Sequence, residues 1–410
     1  MRVCLITSKA GASMYTAATL RHLCARHGVP IVGEPDADAL WVSVCDPDDL
    51  PILTAARDIA RGRPVIMGGF EGYCGVPYLA WADAVVVGEG FEFIEAWGRS
   101  PDSALALPCV LTRQSVEVRP SYRIDWRDVP LVRMPGGNRY YYLAGKGCKG
   151  KCKFCLTSYT QPHATCPAGM VDGAVKAAKG RRGSINLVSN DSDQQANDVR
   201  LSSRSVRIAD YLRQPTAYKA MMLHFGVEGW TEATRRDMSK PIADADIARV
   251  FDLTLAQKQQ CELFTIVGYP GFKVADVEAF ADNVMPPGAD GTPAVHVKVT
   301  YFDPCPHTPW GNEAIGMEYV DTRSVFATLN SRNKRVRVFP TRSQARAAWR
   351  TVLHRCTPEQ AVALGKCPSD TNNPASMMRF RSWLNCCGLL GLTARQDGNQ
   401  NDKIRCRINA

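Results

Sequence analysis

The stretch Leu143-Ala144-Gly145-Lys146-Gly147-Cys148-Lys149-Gly150-Lys151-Cys152-Lys153-Phe154-Cys155 places three cysteines at C-x3-C-x2-C spacing directly after an apolar strand, Tyr140 to Ala144. Three thiolates on one short loop can wrap one corner of a cubane, each on a different iron, leaving the fourth iron open to a small molecule. Closely spaced cysteine runs are how proteins hold iron–sulfur clusters. Structural zinc asks for four ligands, often as two C-x2-C pairs, and His163 or Cys166 would have to complete that alternative. The lysines at 146, 149, 151 and 153 offset thiolate and cluster charge.

The rest of the chain sets the loop in an α/β frame. On the amino-terminal side, Val3 to Thr7, Ala39 to Val44, Pro64 to Met67 and Ala84 to Val87 read as strands, with helices at Ala17 to His27 and Asp48 to Arg61 between them. Such alternation implies a parallel sheet with crossover helices. Gly68-Gly69 and Gly88-Glu89-Gly90 follow two of these strands, at the carboxyl edge where open α/β sheets bind ligands. Turn chemistry alone also explains glycine there. Ser100 to Gly137 reads as a connector holding one or two strands. Beyond the loop, Ser184 to Val188, Ala220 to Phe225, Cys261 to Val267 and Val295 to Tyr301 read as strands, and Ala233 to Asp237 and Asp244 to Gln260 as helices. Repeated β-then-α units fit a complete or partial barrel. Thr341 to Leu353 and Ser376 to Leu390 read as helices in a less periodic final region.

Composition bounds the classes of protein. A chain of 410 residues, 45% hydrophobic and 22% charged, excludes a disordered or fibrous profile and allows two or three domains. Sixteen cysteines without a signal-peptide core, and no apolar run of membrane-spanning length, lead us to expect a cytoplasmic protein with reduced thiols. The charge is concentrated: residues 311–410 carry 16 Lys and Arg against 7 Asp and Glu, a surplus of +9 out of the total +10. That block suits a polyanionic partner, or forms a solvated basic surface.

On the cysteine loop, the sequence resembles the radical S-adenosylmethionine (SAM) superfamily, whose signature is C-x3-C-x-aromatic-C, with Phe154 as the aromatic residue. The resemblance implies a [4Fe-4S] cluster on Cys148, Cys152 and Cys155, SAM chelated to the open iron, and an external electron donor of the flavodoxin or ferredoxin type. It further implies a 5′-deoxyadenosyl radical that takes a hydrogen atom from the substrate. Other positions follow from the same resemblance. Asn190 and Asp191 end a strand where the family binds the SAM amino group. Glu228, in Gly226-Val227-Glu228, matches a family G-x-E that bonds SAM. Gly268 lies on the strand flanking adenine. Lys240 matches a lysine common after the G-x-E helix, although read by itself it is a surface lysine.

Pro64 to Gly69 with Ala82 to Gly90, and Tyr301 to Pro309, resemble the subgroup carrying an amino-terminal cobalamin-binding-like domain. The implied layout is a Rossmann-like domain over 1–105, a connector over 106–138, a partial (β/α)6 radical SAM barrel over 139–310, and a basic carboxyl-terminal region over 311–410. The loop Ser8 to Ser13 lacks the D-x-H-x-x-G ligand motif, so His-on cobalamin is not expected and cobalamin itself is left open. Cys4, Cys45 and Cys74 are spaced loosely like the second-cluster cysteines of methylthiotransferases, but Gly68-Gly69 stands where that family has a Gly-Cys pair.

Three functions follow. The leading expectation is a radical SAM isomerase that remodels a C–H-bearing group on a nucleic-acid base, as in bacteriophage base hypermodification, with the basic block on phosphates. The alternative is a cobalamin-dependent C-methyltransferase acting on a small metabolite or peptide. The third is a non-catalytic, zinc-bearing nucleic-acid-binding protein.

Overall fold

Four parallel strands, β1 (Val3–Thr7), β2 (Ala39–Ser43), β3 (Val65–Gly68) and β4 (Ala84–Val86), pair in sequence order, and β5 (Val110–Leu111) closes the edge antiparallel. This is the amino-terminal sheet of a computed structural model that describes residues 1–8, 11–189, 201–285, 295–315, 320, 324–325, 327–329, 336–340, 343–366, 374–396 and 405–406. Helices α1 (Gly11–Arg26), α2 (Leu50–Ile59) and α3 (Phe91–Arg99) connect or flank the strands. Every residue of β2, Ala-Leu-Trp-Val-Ser, is buried, because a parallel strand is covered on both faces. On one face Trp41 meets Trp97 of α3 edge-on at 5.1 Å; on the other, Leu40 and Val42 pack with Leu53 and Ala56 of α2.

The second layer is the barrel. β6 (Arg139–Leu143) pairs in parallel with β7 (Ser184–Val188). β8 (Leu201–Ser205), β9 (Ala220–Glu228), β10 (Gln260–Val267), β11 (Val295–Tyr301) and β12 (Val336–Pro340) form a further parallel sheet in that order. Because β7 packs beside β8, the two sheets make one curved wall. Helices α4 (Ala168–Gly180), α5 (Asp244–Ala256) and α6 (Val274–Asn283) cover its outside. Along β9 the odd residues Leu223, Phe225 and Val227 are fully buried under these helices, whereas His224, Gly226 and Glu228 are half-buried on the inner face. The period-2 alternation thus separates an apolar outer shell from a polar lumen.

The carboxyl-terminal region folds back onto the amino-terminal sheet. Helix α7 (Gln344–Arg355) starts where Ser343 caps it by accepting the Arg346 amide, and α8 (Pro358–Leu364) and α9 (Pro374–Cys386) follow. Trp349, Val352 and Leu353 of α7 share a core with Val42, Met67 and Tyr78. Arg350, almost buried, donates to Asp46 at 2.5 Å and to Asp303 at 2.8 Å, joining all three regions of the chain. Arg346 pairs with Asp48 at 2.5 Å, and Arg355 donates to the carbonyls of Leu392, Gly311 and Glu313. These arginines therefore satisfy protein groups, which lessens the basic block's fitness for phosphate. Arg332, Lys334 and Arg335 lie outside the described residues. No helix among the described residues is long and apolar enough to cross a membrane.

Candidate functional site

The cysteine loop leaves β6 at the carboxyl edge of the barrel and is tied down at several points. The Lys153 amide donates to Met238 O at 3.1 Å, its carbonyl accepts from Trp310 N at 3.0 Å, and its ammonium reaches Asp237 at 2.7 Å. Gly147 has φ +66°, and a Cβ there would run into the Pro162 and Gln161 carbonyls, so only glycine fits where the chain turns. Phe154 is half-buried against the main core and anchors the far end of the loop.

Cys148, Cys152 and Cys155 are all half-buried, and the first two flank Gly150. The Gly150 amide donates to Cys148 Sγ at 3.3 Å, and a Cβ on Gly150 would lie 3.8 Å from Cys152 Sγ. Arg207 donates to Cys148 Sγ at 3.2 Å, setting a cationic side chain beside the loop. Burial raises the Cys152 pKa against the opposing pull of Lys240. Three thiols spread round one loop suit a cluster of several irons better than a single zinc. Cys166, the alternative zinc ligand, is buried with its sulfur 3.6 Å from Tyr142 Oη. The loop residues thus fit an iron–sulfur cluster.

Glu228 ends β9 with φ +66°, beyond a bulge at Gly226. A non-glycine residue in that region costs about 1 kcal/mol or more and is held by its surroundings. Here the holder is Lys240, whose ammonium donates to Glu228 Oε1 at 2.9 Å. Burial works to lower the Lys240 pKa, but the Glu228 carboxylate and the Cys152 and Cys155 sulfurs outweigh it, so the group is held charged. Lys240 is therefore no surface lysine: its side chain is 25% exposed and belongs to the site. Gly226 makes room for the pair, since a Cβ there would meet both Glu228 Oε1 and Lys240 Nζ. Gly268, at φ +73°, turns the chain at the end of β10 on the same edge. Asn190 and Asp191 lie outside the described residues.

Beside the loop, a cavity of about 520 Å³ opens between the carboxyl edge of the amino-terminal sheet and the first barrel strands. Tyr15, Trp41, Phe70, Leu143 and Val188 line it, with Ser43, Thr16, Glu89 and Lys146 as polar points. Tyr15 Oη accepts the Leu143 amide at 3.0 Å and so fixes α1 against the start of the cysteine loop. The glycine pair predicted at this edge has two separate roles. Gly69, at φ +105°, is demanded by backbone packing, since a Cβ would strike the Val44 carbonyl. Gly68 opens on the cavity, with nothing nearer than Val86 Cβ at 3.9 Å from the position of a Cβ. Size and apolar lining fit a flat organic ligand. Among the described residues that line the cavity there is no histidine.

Sequence reasoning missed Arg207 and Glu89 as site-edge charges; Lys146, read from sequence as offsetting cluster charge, pairs with Glu89 at 3.3 Å. Cys74 does not join Cys4 and Cys45 in a metal-sized group. It lies with Glu71 and His354 in a buried junction where Tyr78 donates to Glu71 at 2.9 Å.

A parallel amino-terminal sheet, a parallel barrel wall with a three-cysteine loop after its first strand, and a cavity between them define the fold of radical SAM proteins with an amino-terminal cobalamin-binding-like domain. Solved structures bear this out. The chain is similar to the radical SAM methyltransferase TsrM from Kitasatospora setae with tryptophan substrate and the SAM analogue aza-SAM bound, at TM-score 0.60 and 13% identity, covering 76% of this chain and 75% of that one. TsrM with cobalamin and [4Fe-4S] cluster bound gives TM-score 0.58 at 12% identity over 76% and 74%. The cobalamin-dependent SAM radical enzyme OxsB with aqua-cobalamin bound gives 0.53 at 11% identity over 71% of this chain and 54% of that one. No protein-family model matches the sequence. No curated protein matches it.

Proposed function

We propose that this chain is a cobalamin-dependent radical SAM enzyme that transfers a methyl group to a small molecule. The observation that carries the reading is the cavity between the amino-terminal sheet and β6, which shares Leu143, Lys146 and Gln161 with the cysteine loop and its surroundings. A corrinoid there would lie next to a cluster on Cys148, Cys152 and Cys155. The nucleic-acid expectation gives way to this alternative. Arg346, Arg350 and Arg355 are used within the fold, and none of the structural neighbours named above is described as acting on nucleic acid.

When bound, the cluster and the corrinoid supply electron transfer and methyl-carrying chemistry that protein side chains lack. The chain's own share is positional. Cys148, Cys152 and Cys155 would hold the cluster, three thiolates leaving one iron without a protein ligand. Glu228, kept in place by Lys240, presents a carboxylate at that mouth for hydrogen bonding to SAM. Tyr15, Trp41 and Phe70 would offer a corrinoid apolar contact and help exclude water from its surroundings. Asn190 and Asp191 are assigned to the SAM amino group by family resemblance, Gly268 to the adenine side and Phe154 to the support of the cluster loop.

The reading is tested by loading the purified chain anaerobically with iron, sulfide and hydroxocobalamin, then supplying SAM, reductant and metabolite extract. A corrinoid that stays with the protein, together with S-adenosylhomocysteine formation, supports it. A chain that holds the cluster but no corrinoid overturns the cobalamin-dependent assignment.

A further inference from the structure

The floor of the barrel lumen holds a charged group that the cysteine loop and SAM positions leave unused. His224 on β9, Glu262 on β10 and His296 on β11 stand side by side in register, and Lys298 rises one inward position above His296. They lie on the inner face, at alternate positions to the fully buried Leu223, Leu263 and Val297. His224 is four residues below Glu228, so at about 3.3 Å per residue the floor lies roughly 13 Å beneath the barrel mouth.

Glu262 is the centre of the group. Its side chain is 5% exposed, yet among the described residues no hydrogen bond reaches it. Lys298 Nζ makes an ion-pair contact at 3.3 Å; His224 Nε2 stands 3.7 Å from one carboxylate oxygen and His296 Nδ1 3.9 Å from the other. The last two exceed hydrogen-bonding distance. A carboxylate can accept about four hydrogen bonds, and burying one without them is costly. The Lys298 side chain is 36% exposed and passes 5.9 Å from the Phe264 ring centre, so its ammonium stays partly accessible beside an aromatic surface. Burial keeps both imidazoles from charging readily, although Glu262 pulls the other way.

These charges discriminate between ligands. A simple anion would meet Glu262, and a simple cation would meet Lys298. A ligand bearing both an ammonium and a carboxylate satisfies the two at once and supplies the donors that Glu262 lacks. From this geometry we infer that the lumen binds a free α-amino acid or close zwitterionic derivative, with its ammonium on Glu262 and its carboxylate on Lys298. The inference rests on the lumen being the substrate chamber of the proposed enzyme.

The test is calorimetric binding to the full chain with its cluster loaded, using the common L-amino acids, each beside its decarboxylated amine and its des-amino acid. At least one amino acid is expected to bind, with both truncated analogues weaker by tenfold or more. Glu262→Gln should weaken the amino acid and the amine but not the des-amino acid. Lys298→Met should weaken the amino acid and the des-amino acid but not the amine. If either variant unfolds, which circular dichroism will show, the other completes the test. Absence of amino-acid binding to the wild-type chain, or binding indifferent to both substitutions, overturns the inference. Reductive SAM cleavage and corrinoid retention are measured on the same sample, so their survival without amino-acid binding would remove this inference and leave the proposed function standing.

Discussion

Lys240 Nζ and Glu228 Oε1 meet at 2.9 Å across the barrel mouth, and the pair fixes a glutamate whose backbone is left-handed. Glu228→Gln keeps the side chain's shape and removes its charge. A charge-assisted hydrogen bond contributes about 1.5–3 kcal/mol, so SAM affinity is expected to fall about tenfold or more. Titration of SAM into the cluster-loaded variant checks this; unchanged affinity would reduce Glu228 to a strand-end ion pair.

Gly147 permits the turn into the cysteine loop. Gly147→Ala would push a methyl group into the Pro162 and Gln161 carbonyls at a positive φ, at a cost of about 1–3 kcal/mol. Iron bound per chain after reconstitution should drop well below wild type. Gly136→Ala, at a positive φ with no atom near the added methyl, should leave iron content unchanged.

Arg350 joins Asp46, just after β2 of the amino-terminal sheet, to Asp303 beyond β11. Burial alone would lower its pKa, but the two carboxylates reverse this and hold it above the normal arginine value. Arg350→Met leaves those carboxylates facing each other without their cation. A loss of about 3–5 kcal/mol in urea unfolding is expected, as for other broken buried pairs. A loss below about 1 kcal/mol would show that the carboxyl-terminal helix is held by packing alone.

The lumen histidines give a pH dependence of known sign. Burial sets the His224 and His296 pKa values below 6.5, against the attraction of Glu262 and together with repulsion from Lys298 and, for His296, Arg337. The unfolded chain therefore binds more protons on these residues than the folded chain does. Their contribution to stability is complete above the unfolded value and is lost as pH falls from about 6.5 toward the folded values. Urea midpoints at pH 7.5 and pH 5.5 should differ more for wild type than for His224→Gln/His296→Gln. Equal differences would contradict the assigned direction.

Much of the fold was legible because strand signals are local. Val3–Thr7, Ser184–Val188 and Val295–Tyr301 have the bounds read from sequence, and the cysteine loop follows its strand as expected. The carboxyl-terminal region was harder. The fate of Arg350 depends on acidic partners 304 and 47 residues away in the chain, which charge counting cannot see. Lys240 looked like a surface lysine because its partner, Glu228, is brought to it by a bulge at the end of β9. The lumen group was hidden for a related reason. Single polar residues in apolar strands read as interruptions until register places them side by side.

The central claim is that one chain holds an iron–sulfur cluster and a corrinoid side by side. Anaerobic reconstitution followed by gel filtration, with iron and corrinoid measured across the protein peak for wild type and Cys152→Ala, tests it most directly. The wild-type chain should carry about four irons and about one corrinoid, with iron lost and corrinoid retained in the variant. A wild-type peak with iron but no corrinoid, or a variant that keeps its full iron content, would contradict it.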